Sequence, residues 1–311
     1  MFFYICFMVT LHVNDEISPL KAVILGTAKS NGPMPKLEDA YDPKSAEHIK
    51  AGTYPTVAAM VAEMEGVAKV FKKYGVRVFR PHTIENYNQI FARDISFVIE
   101  NKIIIANILP DREMEVEATG HVWSHVEKSF RIVLPDACHI EGGDVMPWGE
   151  YIFIGTYRGN DYSDYITART NMEAVESLKQ LFPHKKIKSF NLRKSNTVAK
   201  ENALHLDCCF QPLGKGKAII HKESFLEEEE YEWLVSFFGK ENCFIITTDE
   251  MARMFSNVFS ISPEVIISEL KFTRLNDWLR AEGFTVEEVA YSEIAKQGGL
   301  LRCSTMPLVR G

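Results

Sequence analysis

No CxxC pair occurs anywhere in the chain, and its six cysteines (Cys6, Cys138, Cys208, Cys209, Cys243 and Cys303) follow no regular spacing. A structural zinc ribbon is thereby excluded and no disulfide framework is suggested, so a reducing, cytoplasmic compartment is expected. Blocks of Lys or Arg are missing too. The 42 acidic residues outnumber the 35 basic ones, for a formal net charge of -7, which argues against a nucleic-acid partner and suits a cationic small molecule better than an anionic one. Long apolar runs are also absent. The opening Met1 to Leu11 is apolar but too short to span a bilayer, and it lacks the basic flank and small-residue cleavage site of a signal peptide. No membrane partner is therefore expected. Residues 1–17 read as an N-terminal extension, with Leu11 to Val13 as an edge strand and Met8 as an alternative initiator.

What the chain does contain is one unit used five times: an amphipathic helix, often a Gly, a short apolar strand, and a polar signature that opens a pair of strands. In the first unit Val57, Met60, Val61, Met64, Val67 and Phe71 recur at helical spacing, Gly75 fits a left-handed stop, Val76 to Phe79 reads as a strand, and Arg93-Asp94 follows. The second has a helix over Val116 to Phe130, a strand at Arg131 to Leu134, and Glu141-Gly142-Gly143-Asp144. The third opens on an N-cap at Asn171 and leads to His205-Leu206-Asp207, with a hairpin turning at Gly214-Lys215-Gly216. In the fourth, Leu226, Tyr231, Leu234 and Phe237 share a face, Glu227 to Glu230 read as a solvated run, and Asn257 is the marker. The fifth passes through Phe272, Leu275, Trp278 and Leu279 to Gly298-Gly299 and Cys303. Markers spaced roughly 45 to 65 residues apart fit a supersecondary repeat. A closed α/β ring, treated as a single catalytic domain over residues 1–311, would aim all five signatures at one centre.

Cys303, His205, Glu141, Asp94 and Asp207 make a set suited to a guanidinium group. A planar cationic fork is held best by carboxylates that accept parallel hydrogen bonds, a role open to Asp94 and Asp207. The Cys303 thiolate could then attack the central carbon. His205 would protonate the departing amine and later deprotonate the incoming nucleophile, with Glu141 orienting its ring. Asp144 is assigned to backbone support, and Cys208-Cys209 to packing. Each residue also has a plainer reading: Arg93-Asp94 as a surface ion pair, the Gly-Gly-Asp stretch as a turn, Cys303 as a buried thiol.

Taken in order, Arg93-Asp94, Glu141-Gly142-Gly143-Asp144, His205-Leu206-Asp207 and Gly298-Gly299 to Cys303 resemble the guanidino-group-modifying enzymes, the pentein superfamily, which includes arginine deiminases, dimethylarginine dimethylaminohydrolases and amidinotransferases. The resemblance runs from about Ser18 to Arg310. It implies a five-bladed pseudo-symmetric α/β propeller with a central pocket, no metal and no organic cofactor. It also implies Cys303 as nucleophile, His205 as acid/base, Glu141 as its partner, and Asp94 and Asp207 as guanidinium ligands. Arg158 and Arg169 are candidates for a substrate carboxylate, separated by a tyrosine-rich insertion, Gly159 to Ala168, that could act as a lid. The expected activity is hydrolysis of an arginine-like or other guanidino substrate through an amidino-cysteine. The alternatives are an amidinotransferase and a non-catalytic guanidine-binding propeller. A small guanidino compound is the expected partner, and a homo-oligomer stays open.

Overall fold

The computed structural model describes residues 9–40 and 42–311; the expectations placed on Met1 to Met8 lie outside the described residues. The first unit holds β1 (Leu20–Leu25), α1 (Pro43–Lys50), α2 (Val57–Lys73) and β2 (Arg77–Phe79). The second runs through β3 (Ser96–Ile99), β4 (Lys102–Ile105), α3 (Glu113–Ala118), α4 (Gly120–Trp123) and β5 (Arg131–Val133). The third is β6 (Val145–Trp148), β7 (Tyr151–Thr156), α5 (Met172–Leu181) and β8 (Lys186–Asn191). The fourth is β9 (Phe210–Pro212), β10 (Ala218–Ile220), α6 (Glu228–Phe238) and β11 (Cys243–Ile245), followed by α7 (Thr248–Ala252). The fifth is β12 (Phe259–Ser262), β13 (Val265–Glu269), α8 (Thr273–Ala281) and β14 (Thr285–Val289), and β15 (Thr305–Arg310) ends the chain.

These strands form five three-stranded sheets. In each, two strands pair antiparallel and the middle strand pairs in parallel with a third that returns after a helix, the crossover that parallel pairing requires. The ring is closed by its ends: β15 lies antiparallel to β1, with Leu25 opposite Thr305 and Leu20 opposite Arg310. The last strand of the chain thus completes the first unit, and the fold is a five-bladed α/β propeller.

The helices form for legible reasons. Thr56 caps α2 by accepting from the Ala59 amide, and Met60, Met64, Val67 and Phe71 bury one face. Phe71 meets the edge of Phe259 from the fifth sheet at 5.7 Å between ring centroids, so it ties two blades together. Replacing it with Ala would cost roughly 3–5 kcal/mol through the cavity left behind. The Asn171 side chain accepts from Ala174 as an N-cap, and the hairpin turn uses Lys215 and Gly216 at positive φ.

Four local expectations need correction. The helix expected over Val116 to Phe130 is broken into α3, α4 and a 3-10 turn at Lys128–Phe130. Thr119 folds its hydroxyl back onto the Val116 carbonyl at 2.8 Å, and a Gly follows. In the fourth unit the helix starts only at Glu228, which rotates its face: Leu234 and Phe238 are buried while Leu226 and Phe237 are exposed. Glu230 is not part of a solvated run; it is buried and accepts from the Asn191 amide at 2.6 Å. Leu11 to Val13 make only isolated bridges, His12 to Val309 and Val13 to Glu100, although Leu11 and Val13 are buried.

Candidate active site

The five polar signatures are joined to one another by a closed circuit of hydrogen bonds at the ring centre. The Gly142 amide donates to the Asp94 carbonyl at 3.2 Å, and the Leu206 amide to Asp144 Oδ1 at 2.8 Å. Asn257 Nδ2 donates to the Asp207 carbonyl at 3.3 Å, the Cys303 amide to Asn257 Oδ1 at 3.1 Å, and the Arg93 amide to the Cys303 carbonyl at 2.9 Å. Each signature is thereby held by its neighbours rather than by its own blade, which fixes side chains from distant parts of the sequence against one another. Asp144 has the backbone role expected of it.

Two glycines permit the close approach. A Cβ on Gly143 would lie 2.6 Å from His205 Nδ1 and 3.0 Å from Asp94 Oδ1. Gly298 sits at φ 80°, in the left-handed region, where the chain leaves the 3-10 turn at Ile294–Gln297 and enters the nucleophile loop.

Cys303 is buried, and its sulfur lies between two partners. Asn257 Nδ2 donates to Sγ at 3.1 Å, and the Asp207 carboxylate stands 3.6 and 3.7 Å away. Burial, then Asp207 and Asp94, push this thiol well above the usual cysteine range. Burial and both carboxylates thus weigh against the thiolate. Cys208 and Cys209 are buried, with pKa values raised chiefly by burial.

His205 Nε2 is 2.8 Å from Glu141 Oε2, and Nδ1 is 3.7 Å from Asp94 Oδ1. Burial disfavours its charged form, but Asp94 and Glu141 outweigh that and bring the pKa up to about 9. Burial likewise opposes the charge of Glu141, yet Arg169 first, then His205 and Arg112, hold that carboxyl below its usual range. Asp94 is raised by burial despite the pull of His205 and Arg112.

Arg169 is buried and donates from Nη1 to both Glu141 oxygens at 3.2 Å, so it lies inside the site. Arg158 does not: its guanidinium donates to Glu230 at 2.6 Å, in a separate depression with His139, Asp161 and Glu173. The buried carboxylate of Glu230 draws it there. In the insertion before Arg169, Tyr157 stacks on Tyr165, and the Tyr165 hydroxyl donates to the Lys194 carbonyl at 3.2 Å.

Several residues escaped the sequence reading. Arg112 binds Asp94 at 2.8 Å and grips Glu115 through Nε and Nη2. Arg302 is fully buried, forked onto Glu16 at 3.1 Å through Nε and Nη2, and bonded to Asp207 at 2.9 Å and the Val145 carbonyl at 2.8 Å. Arg93 pairs loosely with Glu16 at 3.9 Å and not with its neighbour Asp94. Only Arg302, adjacent to Cys303, and Asn257, the marker of its unit, carried any signal; nothing near Glu16 or Arg112 in the sequence marks them.

Asp94, Glu141 and His205 each offer a ligand atom within 4.8 Å of the others, a spacing able to hold a metal ion. Arg112 already stands 2.8 Å from Asp94 and 3.6 Å from Glu141, so a cationic side chain occupies that role.

Cys303, His205, Asp94, Arg112 and Arg169 line a constricted cavity of about 20 Å³. Through Asp42, Arg112 and Gln297 it adjoins an outer cavity of about 340 Å³. Among the described residues no helix is long and apolar enough to cross a membrane.

A family model described as N,N dimethylarginine dimethylhydrolase, eukaryotic, matches residues 47–310. YkgA, an uncharacterized protein of Bacillus subtilis, is 30% identical over 223 residues, 72% of this chain and 70% of that protein. An arginine deiminase of Listeria monocytogenes is 24% identical over 264 residues, covering 72% of this chain and 61% of that enzyme. Among solved structures, SxtG, an amidinotransferase from Microseira wollei, gives a TM-score of 0.74 at 18% identity over 97% of both chains. The N-terminal domain of the cyanobacterial arginine dihydrolase ArgZ gives 0.75 at 16% identity over 93% of this chain and 97% of that one. These two likenesses speak for the fold. The family match covers the ordered signatures as well, and by it the chain belongs to the N,N-dimethylarginine dimethylhydrolase family of the pentein superfamily.

Proposed function

We propose that this protein is a cysteine-dependent hydrolase of a guanidino compound. The observation that carries the reading is the convergence of Cys303, His205 and the buried Asp94 carboxylate on one constricted cavity, with the Asp207 carboxylate 3.6 Å from the Cys303 sulfur. Arg112 holds Asp94 Oδ2, and Asp94 Oδ1 has no hydrogen-bond partner among the described residues, so one buried acceptor beside the thiol is open to a cationic donor. A guanidinium drawn to Asp94 and Asp207 adds positive charge beside the thiol, which then loses its proton to solvent and attacks the adjacent carbon as the thiolate.

In the first half-reaction the Cys303 sulfur forms a bond to the guanidinium carbon. His205, held protonated by its carboxylates, donates a proton to the departing nitrogen as the C–N bond breaks, releasing ammonia or an alkylamine. In the second, His205 takes a proton from water, the oxygen adds to the same carbon, and the C–S bond breaks to give a ureido product and the thiol. Glu141 keeps the ring oriented, and Arg169 keeps Glu141 ionised.

Amidino transfer is the second reading, favoured by the amidinotransferase SxtG among the structural neighbours. There the substituted nitrogen leaves first, and an amine replaces water. One panel separates the two. Guanidino compounds, dimethylarginine included, are incubated with and without amine acceptors, and ammonia, alkylamine, ureido product and new guanidine are assayed. Ureido product without acceptor is expected; turnover only with acceptor overturns the hydrolase.

A further inference from the structure

We propose that the cavity bounded by α1, the end of α7, the turn from β13 into α8 and the 3-10 turn at Ile294–Gln297 binds a phosphoryl group, as inorganic phosphate or on a small phosphorylated compound. This cavity has a volume of about 290 Å³ and shares no lining residue with the Cys303 pocket. The proposal therefore stands apart from the guanidino-hydrolase reading.

Four cationic side chains line the cavity and come from four separate segments: Lys44 in α1, Arg253 just after α7, Lys271 between β13 and α8, and Lys296 in the 3-10 turn. In a chain whose net charge is -7, their convergence makes a local positive field against the overall sign. Among the described residues no ion pair involves Lys44, Arg253 or Lys271. Lys44 gives one donor to the Ala252 carbonyl at 2.5 Å and Lys271 gives one to the Ser292 hydroxyl at 2.8 Å, which leaves two N–H groups on each ammonium. The Arg253 guanidinium lies over the Phe255 ring at 5.0 Å and makes no hydrogen bond among the described residues. Lys296 is held by Glu293 at 2.7 Å and contributes less.

The acids nearby do not cancel this charge. Glu269 is the one acid in the lining. Its Oε2 accepts from the Lys271 amide at 2.5 Å, and burial raises its carboxyl against the pull of the Lys271 and Tyr291 amides and the Lys271 and Arg253 charges. Glu47 and Asp42, which Lys44 feels, and Asp249, which Arg253 feels, lie outside the lining. They have donors of their own: the Ala199 amide at 3.2 Å, the Ser45 amide at 2.8 Å and Lys200 at 2.5 Å. The cations also crowd one another. Lys44 is pushed below the usual lysine range by burial, with Arg253 and Lys200 adding to it, and His48 on the same wall is lowered by burial, then by Lys44 and Lys296. Like charges held together carry a cost that a bound anion relieves.

The donor set selects the kind of anion. An ammonium is a compact point charge without the planar fork that matches a carboxylate. Three lysines from separate elements suit a tetrahedral group whose charge is shared over three oxygens, and Arg253 can fork onto two of them. Phe272, stacked on Phe255 at 3.9 Å, supplies an apolar wall, and the volume leaves room for an organic body beside the phosphoryl group.

The test is calorimetric titration of the full-length protein at pH 8 and constant ionic strength, with inorganic phosphate and with succinate, a dicarboxylate of the same charge. Wild type is compared with Arg253→Ala and Lys271→Ala, both at exposed positions, and with Lys186→Ala, an exposed lysine on β8, as the control. Phosphate should bind wild type saturably and tighter than succinate. Arg253→Ala and Lys271→Ala should each weaken phosphate by about tenfold or more, the scale of one charge-assisted hydrogen bond, while Lys186→Ala leaves it unchanged. Absence of saturable phosphate binding overturns the proposal, as does wild-type affinity in both Arg253→Ala and Lys271→Ala. Succinate binding as tightly as phosphate overturns the assignment to a phosphoryl group.

Discussion

Arg302 gives the sharpest test of how the centre is built. Its guanidinium is the shared cation of two buried carboxylates, Glu16 from the N-terminal segment and Asp207 from the third signature. Replacing it with Met keeps the apolar stem and removes only the charge. Breaking a buried ion pair costs about 3–5 kcal/mol, because the partner charge stays behind unmatched. At about 2–4 °C per kcal/mol for a chain of this class, the melting temperature should fall by roughly 6 to 20 °C. Adding Glu16→Gln should recover at least about 1 kcal/mol, since the second change removes one of the stranded charges. Glu16 also sets a pH signature. Burial opposes its charge, but Arg302 and Arg93 bring the carboxyl down to about 2 from the ordinary 4.5. A depressed folded pKa means stability that is complete above pH 4.5 and lost as pH falls through 2. Thermal melts and urea unfolding of wild type, Arg302→Met and the double variant, followed by fluorescence between pH 3 and 7, measure both effects. A single variant within about 2 °C of wild type would refute the argument, as would a double variant no more stable than the single.

Four further outcomes follow from the geometry. Asn257→Ala removes the donor on Cys303 Sγ and the acceptor of its amide, and should lower kcat by about tenfold or more, read in the ureido assay. His205, with a folded pKa of about 9, must be protonated to release the leaving group, so kcat/KM should fall as pH rises through that region. The same shift gives stability that is whole below pH 6.5 and lost as pH rises through 9, and His205→Gln should flatten that slope in thermal melts. Gly143→Ala forces a methyl to within 2.6 Å of the His205 ring, so activity should drop by about 100-fold or more while the melting temperature moves only a few degrees.

The blade pattern was legible because each unit spends its apolar residues at helical spacing and then as a short strand, as Met60, Met64, Val67 and Phe71 do before β2. The signatures were legible through their order and spacing, since each alone also fits an ion pair, a turn or a buried thiol. The partners that tune them were not. Glu16 and Arg302 are far apart in sequence and meet only because β15 returns to β1 across the closure of the ring. Arg112 ends an ordinary Pro-Asp turn ahead of α3, and nothing in that turn's sequence shows that its side chain reaches Asp94. Arg158 misled for the same reason: its place just after the strands that follow the second signature said nothing of Glu230, which arrives from the next blade.

The central claim is that the Cys303 sulfur becomes bonded to the guanidino carbon. Wild-type protein mixed with a carbon-13-labelled guanidino substrate, quenched in acid during turnover and digested, should carry the labelled carbon on the peptide containing Cys303, and Cys303→Ser should show neither the adduct nor ureido product. Turnover that persists in Cys303→Ser, or labelled carbon found on another residue, would contradict it.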